Sequence, residues 1–158
     1  MNKVTVSLDE VDMRLLGLLQ ENASRTTKEL ATELHLTQTP VHERIKRLER
    51  EEIIVRYVAL LNPRKLDKTL MAMCFISLKE HSQKVIEQFD RDIALLPEVL
   101  ECYNIAGQFD YMLKTVVSDM NEYQAFMLKL AKLKCIANVQ TSFVLREIKH
   151  TTALSLQR

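Results

Sequence analysis

A chain of 158 residues with 47% hydrophobic and 27% charged residues suits one domain or two small ones and is too apolar for a disordered chain. The net charge of +1 gives no signature of a nucleic-acid binder. No apolar run approaches the roughly 18 to 20 residues that span a bilayer, and MNKVTVSLDE lacks the apolar centre of a secretory signal. The expectation is a cytoplasmic protein without a membrane partner. Cys74, Cys102 and Cys135 are widely spaced and form no CxxC pair, which predicts buried reduced thiols rather than a zinc or redox motif.

Ser7 to Gln20, SLDEVDMRLLGLLQ, opens with Ser7 and Glu10 in capping-box spacing and sets Leu8, Val11, Leu15, Leu18 and Leu19 on one face of a helix. Thr26 with Glu29 starts a second helix, whose apolar face carries Leu30, Ala31 and Leu34. Only His35 and Leu36 remain for a turn before a third helix opens at Thr37. Pro40 is tolerated in its first turn, and Val41, Ile45 and Leu48 form its apolar face. Two helices joined this tightly are the helix-turn-helix pattern, the second entering the major groove of double-stranded DNA. Its wet face carries Gln38, Thr39, His42, Glu43, Lys46 and Arg47. The polar residues near its start would meet base edges, while Arg44, Lys46, Arg47 and Arg50 could reach phosphates. A plain amphipathic hairpin with a solvated charged face fits the pattern equally well, and His42 is as readily a solvated residue as a base reader.

Met1 to Asn62 holds nine Lys or Arg against ten Asp or Glu, so any electrostatic footprint is local, in Arg44, Lys46, Arg47, Arg50 and Arg56. So little excess charge predicts weak binding by one copy and a need for dimerisation. Ile53 to Leu60, rich in β-branched residues, reads as a wing-like strand, and residues 63–69 as a linker between a domain at 1–62 and another at 70–158.

Beyond the linker the rhythm becomes βαββαβ: strands at Leu70 to Lys79, Val99 to Ala106, Tyr111 to Val117 and Val139 to Ile148, with helices at Ser82 to Leu95 and Met120 to Leu133. The second helix turns Tyr123, Phe126, Met127 and Leu130 inward. This is the ferredoxin-like α+β arrangement, an antiparallel sheet with helices on one face. The other face needs a cover, and a second copy of the chain is the cheapest one. Methionines 71, 73, 112, 120 and 127 read as core filler. The four histidines lie in unrelated places and no catalytic constellation appears, so no enzyme, metal or cofactor is expected.

The blocks LDEVDMRLLGLLQENA, ELATELHLTQTPVHERIKRLEREEII and GQFDYMLKTVVSDMNEY, in this order over nearly the whole chain, closely resemble the leucine-responsive and AsnC (Lrp/AsnC, feast/famine) family of bacterial transcription regulators. The resemblance decides for the helix-turn-helix. It implies a winged DNA reader joined to an amino-acid effector domain, dimers paired through their sheets, octameric discs, and association with the nucleoid. It also implies an effector pocket at Gly107, Gln108, Phe109, Asp110 and Tyr111, facing Gln140 and Ser142 where relatives often carry threonines. Glycine would let the backbone approach a ligand and Asp110 could accept from an α-ammonium, though Asp110 also reads as a turn residue. The family's glycines are replaced here by His35 and Glu52, which predicts two strained left-handed positions. The runner-up is a ferredoxin-like amino-acid sensor of ACT type, or a small-molecule enzyme, with an N-terminal interaction module.

Overall fold

The computed structural model describes residues 7–156. The described residues form two compact units, one gathering 7–60 together with 149–156, the other running from Leu61 to Ile148.

In the first unit α1 (Glu10–Glu21), α2 (Thr27–Leu34) and α3 (Gln38–Arg50) enclose a core of Leu15, Leu16, Leu19, Leu30, Ala31, Leu34, Val41 and Leu48. Leu48 is fully buried, so truncating it to alanine would cost about 2–5 kcal/mol. The capping box of α1 is Asp9 with Asp12, two residues later than the expected Ser7 and Glu10. Both spacings were available. The one adopted has Asp12 held from a second direction by α3, as described below. Thr26 and Glu29 form the expected box on α2, the Thr26 N–H donating to Glu29 at 2.7 Å.

His35 and Glu52 both adopt left-handed backbone, with φ of 56° and 55°. Each closes a helix in the Schellman manner: Leu36 N–H donates to Ala31 O at 2.9 Å, and Ile53 N–H to Leu48 O at 2.9 Å. The expected wing strand from Ile53 to Leu60 does not form among the described residues. Ile53 and Ile54 finish the end of α3, while Val55 and Leu60 are 82% and 64% exposed. β-branched side chains suit a pleated surface but cannot supply the neighbouring edge that a strand needs.

The C-terminal segment packs on the first unit. Gln20 on α1 exchanges two hydrogen bonds with the Leu154 backbone, accepting from its N–H at 2.7 Å and donating to its carbonyl at 3.1 Å. Leu156 packs against the helical core. By its contacts the tail lies with the helical unit. The expected linker is also ordered: Pro63–Leu66 forms a 3-10 turn, and Lys68 pairs with Glu122 on α5 (Met120–Ala131).

In the second unit β1 (Leu70–Leu78), β2 (Val99–Asn104), β3 (Tyr111–Val117) and β4 (Ile136–Phe143) form one antiparallel sheet in the order β2-β3-β1-β4. β4 starts three residues before the expected Val139, with Ile136 opposite Leu78. Alternation along β1 and β3 sends Ala72, Cys74, Ile76, Leu78, Leu113 and Val117 to a core beneath α4 (Gln83–Ala94) and α5. Met71, Met73, Phe75, Met112 and Val116 alternate with them and are only half-buried, on the face away from the helices. Of the cysteines only Cys74 is buried, and Cys102 lies exposed on the edge strand β2. Among the described residues no helix is long and apolar enough to cross a membrane.

Candidate DNA-reading face and effector loop

The exposed side of α3 carries Gln38, Thr39, His42, Glu43, Lys46 and Arg50. Residues 38, 39, 42, 46 and 50 follow one another at helical spacing and make a continuous polar stripe. Thr37 makes no side-chain cap and the first turn holds no acidic residue, so its N–H groups and the positive end of the helix dipole lie open at that end. Lys46 pairs with Glu49 at 2.9 Å, and that ammonium holds the Glu49 carboxyl below its ordinary range.

Arg44 and Arg47, both expected as phosphate contacts and Arg47 also on the wet face, turn away from that stripe. Arg44 Nη1 donates to Asp12 Oδ1 at 2.6 Å and to Asp9 Oδ2 at 2.7 Å, while Arg47 Nη2 donates to Asp12 Oδ2. The Asp12 side chain is 1% exposed. Hydrogen bonding to Asp12, then to Asp9, raises the Arg44 pKa. The Asp12 backbone N–H, followed by the Arg44 guanidinium, lowers that of Asp9. The sequence held a sign of this: Arg44 lies between Val41 and Leu48 on the apolar side, where a cation needs a buried acid opposite.

In the second unit the connection from β2 to β3 passes through Gly107, whose φ of +147° favours glycine; a Cβ there would meet nothing within 4 Å, so the need is conformational. Gly107 and Gln108 are exposed. The Phe109 ring lies 5.4 Å from that of Phe75. Phe75 is opposite Met112 on one side and Gln140 on the other, and Met73 is opposite Lys114 and Ser142. Phe109, Gln140 and Ser142 are thus brought to one region of the open sheet face.

Asp110 makes the contacts of the turn residue it also reads as, and Tyr111 lies apart from the expected pocket. The Asp110 carboxylate accepts from Leu78 N–H at 2.7 Å and contacts His81 Nε2 at 2.7 Å; the first of these, then the imidazole, lowers its pKa. Each oxygen thus makes one contact that braces the loop. Tyr111 is buried on the helix side, its ring 4.4 Å from Phe89 and its hydroxyl donating to Asp90 at 2.8 Å. Burial, followed by the Asp90 carboxylate, pushes that hydroxyl's pKa up. A cleft of about 410 Å³ beside Tyr111 is lined by Asp90, Leu100 and Cys102 and does not include Phe109, Gln140 or Ser142.

A three-helix unit with an exposed polar stripe on its third helix, joined to a one-face-covered βαββαβ sheet with a glycine loop beside its open side, defines a DNA-binding regulator with an appended ligand domain. Residues 8–49 match the AsnC-type helix-turn-helix domain and residues 71–154 the Lrp/AsnC ligand binding domain. The leucine-responsive regulatory protein of Haemophilus influenzae is 38% identical over 152 residues, covering 96% of this chain and 92% of that protein. The DNA-binding transcriptional activator DecR of Escherichia coli is 36% identical, covering 95% and 99%. A transcriptional regulator of Neisseria meningitidis solved as a complex with L-methionine superposes with a TM-score of 0.91 at 37% identity, covering 95% of this chain and 97% of that one. The chain belongs to the Lrp/AsnC family of transcription regulators.

Proposed function

We propose that this regulator reads operator DNA with Gln38, Thr39, His42 and Glu43, steadies itself on phosphates with Lys46 and Arg50, and adjusts its occupancy to an amino acid held at the Gly107 loop. The reading of the ligand site rests on one observation above others: the Phe109 ring against Phe75 joins the loop to the row that ends in Gln140. Backbone N–H groups at Gly107 and Gln108 would take the α-carboxylate, with Gln140 and Ser142 as polar partners. Asp110 braces the loop rather than binding the ammonium. Met112 and Ile105 nearby favour an apolar or amide side chain, and a relative solved with L-methionine is consistent with that class.

The half-buried row of Met71, Met73, Phe75, Met112 and Val116 supports a second copy as the cover of the open face. Octamers would follow from contacts between dimers, with the effector shifting the equilibrium by its differential affinity for the assembled state. The test has three parts: selection of operators from a randomised duplex pool, a thermal-shift screen of the twenty amino acids, and sedimentation of Met112→Glu, which sets a charge in the proposed interface. Lys46→Ala and Arg50→Ala should each reduce the salt slope of DNA binding by about 1. Unchanged slopes would refute the reading face, silence of all twenty amino acids would refute the effector, and an unchanged mass for Met112→Glu would refute the interface.

A further inference from the structure

Five cations cluster on α3 and just beyond it, yet two of them, Arg44 and Arg47, are not offered to solvent as a pair. Arg44 and Arg47 lie three residues apart on α3, and their guanidiniums meet on the Asp12 carboxylate, Arg44 at 2.6 Å. Asp9, the N-cap of α1, adds a second acceptor for Arg44 at 2.7 Å. Two acids thus neutralise two bases at the junction of α1 with α3. Resting on the reading of α3 as the recognition helix, we propose that Asp12 is a specificity-determining positioning residue: it withholds Arg44 and Arg47 from phosphates and so suppresses sequence-independent binding.

The physical case begins with the salt law. Each phosphate neutralised adds about 0.9 to the slope of log affinity against log salt, and this sequence-independent term supplies essentially all of non-specific binding. Two freed arginines would raise affinity for every duplex alike and dilute discrimination. They are near enough to matter: their side chains remain 27% and 33% exposed, and Arg47 follows directly on Lys46 of the reading stripe. Asp12, by contrast, is desolvated, and a buried carboxylate holds a hydrogen-bonded guanidinium far more firmly than a phosphate in water competes for it. The same clamp fixes the rotation of α3 about its axis, which keeps Gln38, Thr39 and His42 together on the solvent side.

Fluorescence anisotropy of a labelled mixed-sequence duplex, titrated between about 50 and 200 mM KCl, separates this role from a merely structural one. Asp12→Asn keeps the shape but weakens the hold; it should bind mixed-sequence DNA several-fold more tightly at low salt, with a slope steeper by one to two, and discriminate less well against it in favour of a selected operator. Adding Arg47→Gln to Asp12→Asn should return the slope toward wild type. Weaker binding by Asp12→Asn with an unchanged slope would overturn the proposal and leave Asp12 as a fold residue. If melting curves report that Asp12→Asn is unfolded, Arg47→Gln alone decides. An unchanged slope upholds the withheld arginine, and a slope flattened by about 1 refutes it. Wild type that binds no duplex would instead refute the assignment of α3 itself.

Discussion

The Phe109 ring lies 5.4 Å from that of Phe75, and through this contact a loop between β2 and β3 reaches the centre of the sheet's open face. An aromatic pair of this kind contributes about 0.5–1.5 kcal/mol beyond the area it buries. Phe109→Ala is therefore expected to detach the loop from β1 and weaken effector binding about tenfold, some 1.4 kcal/mol, while leaving DNA binding without effector unchanged. Calorimetric titration with the amino acid found by thermal shift measures this; affinity equal to wild type would remove Phe109 from the site.

Asp110 offers a sharper division between bracing and binding. Its Oδ2 accepts from Leu78 N–H at 2.7 Å, a bond that an amide oxygen could replace. Asp110→Asn should retain effector affinity within a few-fold and Asp110→Ala should lose much of it, with a lower melting temperature as the Leu78 N–H is left unsatisfied. A direct ammonium contact would instead make Asn nearly as damaging as Ala, since the charge is lost in both.

Glu52 holds a left-handed backbone at φ 55°, where a side chain costs roughly 1–2 kcal/mol that glycine avoids. Part of the gain is returned, because glycine has more freedom to lose on folding. Glu52→Gly is accordingly expected to raise the stability of the helix-turn-helix unit by up to about 1 kcal/mol, and Glu52→Ala to give no gain. Denaturant titration of the three proteins would expose the contrast, and an equal response to Gly and Ala would point to the carboxylate rather than the backbone.

Glu122 should mark the acid side of stability. Lys68 pairs with both of its oxygens, at 2.7 and 2.9 Å, and with the Ser118 N–H it lowers the carboxyl from 4.5 to about 2. A pKa depressed in the folded state stabilises above the unfolded value and loses that stabilisation as pH falls through the folded one. The difference in stability between wild type and Glu122→Gln should therefore be full above about pH 5 and fade towards pH 2. Unfolding curves at stepped pH follow it, and a difference that did not vary with pH would locate the effect of the substitution elsewhere.

What was legible in the sequence was local. The Thr26 and Glu29 box, the turn at His35 and Leu36, the inward residues of α5 and the alternation along β1 and β3 each depend on neighbours within a turn or a pleat, so spacing alone specifies them. The left-handed backbone at His35 and Glu52 was readable only through the family resemblance, which sets glycine at both positions. The motif blocks likewise identified the family.

The destinations of long polar side chains were decided only by tertiary structure. Arg47 finds Asp12 from 35 residues away, Tyr111 finds Asp90 from 21, and Gln20 takes the Leu154 backbone from 134. An arginine on a helix border is free to serve water, phosphate or a buried acid, and the packing of α3 on α1 chose the acid. The same holds for Val55 to Leu60, whose composition suits a strand although pairing requires an edge. Spacing determines which face a residue occupies; what lies opposite that face is a property of the assembled fold, because desolvation and hydrogen bonding act between groups brought together only when the chain closes.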